Sequence, residues 1–394
     1  MTMKISRSAI VQRLRSKGLM SRIKDDPNVV GFYHNRVVLL PHGGDFFPAL
    51  FQDLNKAVTS ICAEYYLIKD DHTGRTFAQR LVEAARRGVH VSLIYDAIGC
   101  FDTPASFFRR LEDQGVHCLI FNRPAVSRLH WLDLRNHRKM TIIDGSTAFL
   151  GGLNIGDEYS GFGDSLERWR DVGMRMDGPA AAELQRLFWQ TWEQEGGPSV
   201  VRPDHAPPGP AGEANVIIVN GSPHHNRPLI RNSFRLAMAG AVHRIRIMTP
   251  YFLPGPRVVR SLLRAVNRGA KVQVILPSIS DVPIVQKFSR AYLEPLLKAG
   301  VEIYSRQGTI LHAKVMLIDE HWVTLGSANL DYRSFYRNFE MNVIIDNHAF
   351  GTQVSDLIDE EVEKSTRVTL DNGIRLTRLE QILRWLLTPL RHLL

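Results

Sequence analysis

An internal duplication is the feature of this sequence that most constrains its fold. The stretch "NHRKMTIIDGSTAFLGGLN" ends at Asn154, and the stretch "LHAKVMLIDEHWVTLGSAN" ends at Asn329. Histidine, lysine, aspartate, glycine and asparagine occur in both stretches in the same order and at identical spacing. This match indicates two copies of one structural unit. The paired positions are His137 and His312, Lys139 and Lys314, Asp144 and Asp319, Gly151 and Gly326, and Asn154 and Asn329.

The duplication extends beyond these two motifs and predicts the fold class. The segments 63–96 and 243–277 each read as an apolar strand, a loop, an amphipathic helix and a second apolar strand. Gly88 and Gly269 occupy the place where a helix C-cap is expected. Strands that alternate with helices predict an α/β protein, with a mixed β-sheet flanked by helices in each copy.

Composition along the chain predicts where the copies begin and end. The proline- and glycine-rich segment 196–213 reads as a linker. We therefore predict two similar lobes at 31–195 and 214–366, related by a pseudo-twofold axis with the active site between them. A basic N-terminal segment, 1–30, and a C-terminal segment, 367–394, lie outside the repeat.

Charge and hydropathy narrow the class of partner. The net charge is +9 and the isoelectric point about 9.6, which favours anionic partners such as nucleic acid, anionic lipid or phosphate-bearing substrates. No stretch approaches the ~18–20 apolar residues that a membrane span requires, and the N-terminus lacks the apolar core of a signal peptide. We expect a chain that stays in the compartment where it is made unless a surface tethers it.

The histidine and lysine of each motif are expected to act together. If "HRKMTIID" and "HAKVMLID" are strands, side chains two residues apart share a face. His137 then lies beside Lys139, and His312 beside Lys314. A strand with one buried face rarely carries both residue types on its other face unless that face meets solvent or a cleft.

The motifs also supply amide and hydroxyl groups suited to a phosphodiester. Asn154 and Asn329 follow glycine turns, where the backbone can approach a ligand closely, and Ser327 lies beside the second turn. Together with the lysines, these groups can donate hydrogen bonds to non-bridging oxygens and stabilise the charge that builds at phosphorus. One imidazole can attack phosphorus while a second protonates the leaving oxygen. Each copy provides one histidine, so the reaction needs both.

Two carboxylates are candidates for holding the histidines. A nucleophilic imidazole needs an acceptor at its other ring nitrogen. Asp171 and Glu340 each come just before an alternating apolar run, and we predict that they orient His137 and His312.

The aspartates within the motifs are expected to be structural. Asp144 and Asp319 lie seven residues after the histidines, an odd offset that turns them to the opposite face, where they would close the turn after the strand. We predict neither a metal nor a cofactor, because lysines that alternate with the histidines repel cations and no carboxylate pair completes a ligand set.

The doubled pattern HxK(x)4D(x)6G(G/S)xN is similar to the signature of the phospholipase D superfamily. The resemblance covers roughly residues 30–366. Several segments more closely resemble bacterial cardiolipin synthases, of the type that lacks N-terminal transmembrane helices. Those segments are Tyr251–Gly255, Ser280–Gln286, Asp319–Ser334 and Asn338–Phe350, together with Gly151-Gly152 where the second copy has Gly326-Ser327.

The resemblance implies catalysis through a covalent phosphohistidine without a metal. His137 would attack the phosphorus of one phosphatidylglycerol, and His312 would protonate the departing glycerol. A hydroxyl of a second phosphatidylglycerol would then attack, with His312 as base, to give cardiolipin. The choice of the first motif as nucleophile comes from the family, since the sequence is symmetric here. The implied partners are phosphatidylglycerol and a membrane surface rather than nucleic acid, and the implied location is peripheral, on the cytoplasmic face of the bacterial inner membrane.

Three alternatives remain open at this stage. Water as acceptor would make the protein a phospholipase D hydrolase, and a different alcohol would make it another phosphatidyltransferase. A nuclease would suit the positive charge, although no stripe of aromatic and basic residues is evident. A non-catalytic lipid-binding scaffold would have no need for both complete motifs. The longer loop 156–170 of the first copy could line a lipid entrance or be a surface insertion.

The C-terminal tail predicts a membrane-surface helix. In 374–394 the leucines and isoleucines follow helical spacing, arginines interrupt them, and Trp385 suits the headgroup level. Such a helix would bind anionic lipid, with docking on the protein's own core as the alternative. The basic N-terminal segment could help in the same way or be a disordered tail.

Overall fold

The computed structural model describes residues 29–123, 133–161, 169–224 and 228–371. The chain divides into two compact units, one from Gly31 to Ile218 and the other from Val219 onward, to which Val29 and Val30 also belong. The predicted C-terminal helix, nearly all of the basic N-terminal segment, and residues 162–168 of the longer loop lie outside the described residues.

The first unit alternates strands with helices, as predicted. Its strands are β1 (Val29–Leu40), β2 (Ser60–Tyr65), β3 (His90–Asp96), β4 (His117–Phe121), β5 (Arg135–Asn136), β6 (Lys139–Ile143), β7 (Thr147–Gly151) and β8 (Gly173–Asp177). Its helices are α1 (Gly43–Lys56), α2 (His72–Arg86), α3 (Ala105–Glu112), α4 (Asp157–Ser160) and α5 (Pro179–Gln194). The next strand, β9 (Ala214–Gly221), contains the boundary between the units along the chain.

The second unit repeats this alternation. Its strands are β10 (Arg244–Met248), β11 (Lys271–Pro277), β12 (Glu302–Arg306), β13 (Val315–Ile318), β14 (Trp322–Gly326), β15 (Asn338–Asp346) and β16 (Ser365–Val368). Its helices are α6 (Leu229–Gly240), α7 (Gly255–Val266), α8 (Pro283–Lys298), α9 (Tyr332–Tyr336) and α10 (His348–Glu363).

The two units contain mixed sheets with the same strand order. In the first unit the order is β8-β7-β6-β2-β3-β4, in which β2, β3 and β4 are parallel and the other pairs antiparallel. In the second it is β15-β14-β13-β10-β11-β12, again with the last three strands parallel. The α/β class and the mixed sheets predicted from the sequence are therefore confirmed.

The local sequence explains why these elements form. Strands β2 and β3 are buried at every position except His90, as expected for central parallel strands covered on both faces. Helix α2 begins where the Asp71 side chain accepts a hydrogen bond from the Gly74 N–H, a typical N-cap. Gly88 and Gly269 follow α2 and α7 with φ of +89° and +93°, a left-handed conformation in which glycine ends a helix without strain.

The segment predicted as a linker packs against the first unit. Residues 196–213 contain no helix or strand. His205 Nε2 lies 2.9 Å from Ser60 Oγ, and the Arg202 guanidinium lies 4.7 Å from the centre of the Trp189 ring. The proline and glycine content predicted the absence of regular structure but gave no sign of this packing.

Across the described ranges, no helix is both long enough and apolar enough to cross a bilayer.

Candidate active site

The first motif begins at one edge of the first unit's sheet. Strand β6 starts at Lys139, so His137 lies two residues before it, and the strand predicted to include the histidine was too long. In the antiparallel pairing of β6 with β2, Lys139 lies opposite Tyr65, the last residue of β2. The motif histidine therefore lies at the edge where the parallel strands β2 and β3 end.

An aromatic side chain joins His137 to Lys139. The ring of Tyr66 lies 5.2 Å from the His137 ring in an edge-to-face arrangement, and Lys139 Nζ lies 5.3 Å from the centre of the same tyrosine ring. Lys139 Nζ also donates a hydrogen bond of 2.7 Å to the His137 carbonyl. The structure thus brings the two predicted residues together. Sequence reasoning missed Tyr66, whose only signal is an aromatic residue directly after a strand.

The residues on either side of His137 are held by a buried carboxylate. Asn136 Nδ2 donates to Glu64 Oε1 at 2.6 Å, and Arg138 Nη1 approaches the same oxygen at 3.2 Å and donates to Thr191 Oγ1 at 2.7 Å. Because Asn136 and Arg138 flank His137 directly along the chain, anchoring their side chains restricts the backbone that carries His137.

Burial makes this anchor energetically demanding. Glu64 is fully buried, and burial raises the pKa of its carboxyl although Arg138 and Asn136 oppose that shift. Arg135, the residue before Asn136, forms a second buried ion pair, with 3.2 Å between its Nη1 and Asp96 Oδ1. Buried ion pairs contribute little net stability but become costly when one partner is removed.

The second unit replaces this anchor with apolar side chains. Glu64 lies opposite the residue after the motif lysine in the first unit, and Met248 occupies that place in the second. Leu311 and Ala313, which flank His312 as Asn136 and Arg138 flank His137, are buried with Met248. The motif histidine thus lies next to a buried ion pair in the first unit and next to buried apolar residues in the second.

In the second motif the lysine contacts the histidine ring itself. His312 and Lys314 are each 4% exposed. Lys314 Nζ lies 2.7 Å from His312 Nδ1 and 3.2 Å from Nε2, and it also donates to the His312 carbonyl. Strand β13 begins at Val315, so this pair also precedes its strand.

Glu340 is the centre of a hydrogen-bond network in the second unit. The carboxylate is fully buried on β15 and accepts hydrogen bonds from the Ser327 hydroxyl, from Ser334 Oγ at 2.8 Å, and from Asn338 Nδ2 at 3.2 Å. Such a network fixes a carboxylate and keeps it available as an acceptor. That Glu340 orients His312 stays a prediction.

Asp171 occupies the equivalent position in the first unit, but its surroundings differ. It is fully buried, accepts a 2.8 Å hydrogen bond from the Val172 N–H, and lies against Gly152. A Cβ at position 152 would come within 2.1 Å of Asp171 Oδ1. Glycine at this position therefore makes room for a carboxylate where the second unit has Ser327. That Asp171 orients His137 also stays a prediction.

The two motif asparagines are held differently. Asn154 accepts from the Leu67 N–H at 3.3 Å and donates to the Tyr159 hydroxyl at 2.8 Å. Asn329 is 3% exposed, and no group in the described chain hydrogen-bonds to its Oδ1. A buried amide oxygen without a hydrogen-bond partner costs folding free energy.

The motif aspartates lie at the far end of the central strands. Asp144 accepts from the N–H groups of Thr59 at 2.7 Å and Ser60 at 2.9 Å, and Asp319 accepts from those of His243 and Arg244 at 2.8 Å. Burial raises the pKa of Asp144, but these N–H donors outweigh it and hold the pKa below its usual value. Both aspartates therefore tie a turn to the start of a neighbouring strand, away from the histidines.

Comparison with known proteins agrees with this arrangement. A family model described as cardiolipin synthase, PLD-like domain, matches residues 50–192 and 235–364, which contain both motifs. The fold and the doubled motif define a phospholipase D-like protein. The chain belongs to the cardiolipin synthase family of these proteins.

Curated relatives carry the same description. Cardiolipin synthase A of Pseudomonas putida (strain GB-1) is 34% identical over 89% of this chain and 73% of its own length. The major cardiolipin synthase ClsA of Bacillus subtilis (strain 168) is 32% identical over 90% of this chain and 75% of its own length. A cardiolipin synthase of Geobacillus sp. (strain WCH70) is 34% identical over 83% and 66%. The chain thus spans about two thirds to three quarters of these relatives.

Solved structures share the fold. A phosphatidylserine synthase from Haemophilus influenzae Rd KW20 superposes with a TM-score of 0.71 at 12% identity, covering 96% of this chain and 98% of its own. A polyphosphate kinase from Porphyromonas gingivalis gives a TM-score of 0.58 at 14% identity over 91% and 53%. At these identities the likeness concerns the fold alone.

Replacing the ion pair near His137 with the apolar residues found near His312 should preserve stability. Glu64→Met alone leaves Arg138 buried without its carboxylate, and we expect the free energy of unfolding to fall by about 3–5 kcal/mol. The triple change Glu64→Met, Asn136→Leu, Arg138→Ala copies the second unit and should recover most of this loss. Urea unfolding of the full chain measures both. A triple variant no more stable than the single one would show that the ion pair has another role.

Asp331 should make stability depend on pH. Its side chain caps α9 by accepting from the Ser334 N–H at 2.7 Å; burial, reinforced by Glu340, raises its pKa to about 6. The folded state therefore binds this proton more tightly than the unfolded state, and stability falls as pH rises through this range. Asp331→Asn keeps the cap without the charge. Its advantage over the wild type at pH 7.5 should shrink by about 1–2 kcal/mol at pH 5. If Asp331→Asn is more stable than the wild type by the same free energy of unfolding in urea at both pH values, the raised pKa of Asp331 is contradicted.

Proposed function

We propose that the protein is a cardiolipin synthase that transfers a phosphatidyl group from one phosphatidylglycerol to another and releases glycerol. One observation carries the proposal. Each unit has a histidine in contact with a lysine, and both pairs lie at the edge of the sheet where the parallel strands end. Membership in the cardiolipin synthase family supports this choice of substrate.

The first displacement uses both histidines on one phosphodiester. An imidazole nitrogen of His137 attacks phosphorus, and the bond from phosphorus to the glycerol oxygen breaks. His312 donates a proton to that oxygen, so glycerol departs neutral. The phosphatidyl group remains on His137 through a phosphorus–nitrogen bond.

In the second displacement His312, the proton donor of the first step, acts as the base. A terminal hydroxyl of another phosphatidylglycerol attacks the phosphorus, His312 takes the hydroxyl proton, and the phosphorus–nitrogen bond breaks. Two phosphatidylglycerols thus give one cardiolipin and one glycerol, and both histidines return to their starting states. One site can run both steps because donor and acceptor present the same alcohol.

The lysines and asparagines bind the phosphate. Lys139 and Lys314 lie beside their histidines, where an ammonium can turn from its present acceptor to a non-bridging oxygen. An amide N–H of Asn329 suits the same task, and Asn154 has one amide hydrogen beyond its bond to Tyr159. Ser327 adds a hydroxyl next to Glu340.

The buried carboxylates act as positioning residues. Asp171 and Glu340 would each hold an imidazole so that its reacting nitrogen faces the phosphate. Their complete burial suits this role because water cannot compete for the carboxylate.

The substrate class implies work at a membrane surface. We infer that the chain is peripheral, on the cytoplasmic face of the bacterial inner membrane, with anionic phospholipid as its partner. The net charge of +9 favours that surface.

Intact-lipid mass spectrometry tests this function. Purified full-length chain is incubated with phosphatidylglycerol vesicles in the presence of a chelator, and the same is done with His137→Ala and His312→Ala. Loss of either histidine should lower cardiolipin formation at least about 10³-fold, since a nucleophile or a general acid is removed. His117→Ala, at an exposed histidine at the start of β4, serves as the control and should retain full activity.

The products separate the alternatives. Cardiolipin and glycerol together support the proposal. Phosphatidic acid alone would make the protein a hydrolase, and cleavage of single-stranded DNA without lipid turnover would make it a nuclease. Unchanged lipid turnover in His137→Ala would show that His137 is not the nucleophile and would contradict the proposed mechanism.

A further inference from the structure

Exposed apolar side chains concentrate in two short loops. Within the described residues, seven large hydrophobic side chains are exposed, and four of them follow β3 or β11. The first loop, residues 97–104, carries Ile98 and Phe101, which are 44% and 80% exposed. The second, residues 278–284, ends in the first two residues of α8 and carries Ile279 and Ile284 at 58% and 43%. The other three are Val58, Val201 and Leu370.

Each loop lies at the catalytic edge of its own sheet. In the first unit β3 runs parallel to β2, whose last residue lies opposite Lys139. In the second unit β11 runs parallel to β10, whose last residue, Met248, lies opposite Val315 next to the motif lysine. The carboxyl ends of parallel strands meet at one edge, so both loops leave their sheets beside a motif histidine.

The first loop is fixed to a residue of the candidate site. A Cβ on Gly99 would come within 2.0 Å of the Tyr66 carbonyl oxygen, so the loop backbone lies against Tyr66, which packs on His137. Asp96 Oδ1 accepts from the N–H groups of Ile98 and Gly99 at 2.8 and 3.0 Å. Phe101 is thus held outward by an ordered loop.

The second loop is tied down in a comparable way. Gln286 Nε2 donates to the carbonyl oxygens of Pro277 at 3.1 Å and Ser278 at 2.7 Å, and the Tyr251 hydroxyl donates to Asp281. Two independent copies of the unit therefore hold apolar side chains in solvent at the same place. A chance surface residue would not be expected to recur in this way.

The charges near the loops indicate what covers them. Lys287 lies one helical turn after Ile284 on α8, and Arg290 one turn later; both are exposed, and neither forms an ion pair with any residue that the structure describes. Arg109 on α3 has no such partner either. The two loops also carry Asp102 and Asp281, and the Asp281 carboxylate accepts from the Tyr251 hydroxyl. Apolar tips with cations on the neighbouring helices α3 and α8 match an anionic lipid interface, where acyl chains lie below negative headgroups.

We propose that loops 97–104 and 278–284 insert Ile98, Phe101, Ile279 and Ile284 into the headgroup region of an anionic phospholipid bilayer. The inference rests on the proposed function in taking lipid as the substrate. The scissile phosphodiester of a membrane lipid lies at headgroup level, so a histidine that attacks it must be held there. Loops at the catalytic edge bring each histidine to that level without extracting the lipid.

Vesicle co-flotation of the full chain tests the insertion. Vesicles contain phosphatidylglycerol and phosphatidylcholine, or phosphatidylcholine alone. We expect Phe101→Ser and Ile279→Ser each to weaken binding to the anionic vesicles about tenfold, from the apolar area withdrawn. Val58→Ser and Val201→Ser are the matched controls, since Val58 and Val201 are 75% and 70% exposed. Val58 precedes β2 and so lies at the sheet edge opposite the site. Both controls should bind within twofold of the wild type.

Turnover of a short-chain phosphatidylglycerol, kept below its micelle concentration, separates this inference from the proposed function. The loop variants should turn over this dissolved substrate at the wild-type rate and lose activity only on vesicles. Vesicle binding that is unchanged, or that falls equally in the Val58 and Val201 variants, would overturn the inference. Equal loss on dissolved substrate would assign the loops to the catalytic site instead. If the wild type turns over neither substrate, the proposed function fails, while the binding comparison still decides the role of the loops.

Discussion

The structure depends on a lysine buried beside a histidine at the start of a central strand. Lys139 and Lys314 are 2% and 4% exposed. Removing an ammonium from water is costly unless other groups hydrogen-bond to it. Here a backbone carbonyl accepts from each ammonium, and in the second unit an imidazole nitrogen also lies beside it. The strand register places each lysine at the edge of the sheet where the parallel strands end.

The two units support the same catalytic set by different means. Glu64 and Arg138 form a buried ion pair next to His137, whereas Leu311, Ala313 and Met248 are buried apolar residues at the equivalent positions near His312. The carboxylates differ as well. A short aspartate lies against Gly152, while Ser327 and its neighbours hold the longer Glu340. The motif residues are alike in the two copies while the residues around them differ, which is expected if only the motif residues meet the phosphate.

Much of this could be predicted from the sequence, for physical reasons. Repeated spacing reveals two units, and apolar periodicity with glycine at helix ends reveals their elements. The ion pair behind His137 could not be predicted, because Arg138 next to Lys139 reads as one more surface cation and Glu64 lies far away along the chain. Tyr66 and the packing of the linker depend likewise on tertiary contacts. The start of β6 at Lys139 depends on where β2 ends, which local sequence does not determine.

A trapped covalent intermediate tests the central claim most directly. The full chain is mixed with short-chain phosphatidylglycerol, quenched in alkali, where phosphohistidine persists, and digested for peptide mass spectrometry. The account predicts a phosphatidyl group, or the glycerophosphoryl group that remains once alkali cleaves its acyl esters, on the peptide that contains His137. This adduct should form and disappear during turnover and be absent in His137→Ala. Attachment to His312 alone would reverse the two roles. Cardiolipin formation with no adduct on either histidine, under conditions that recover a chemically prepared phosphohistidine standard, would contradict the mechanism.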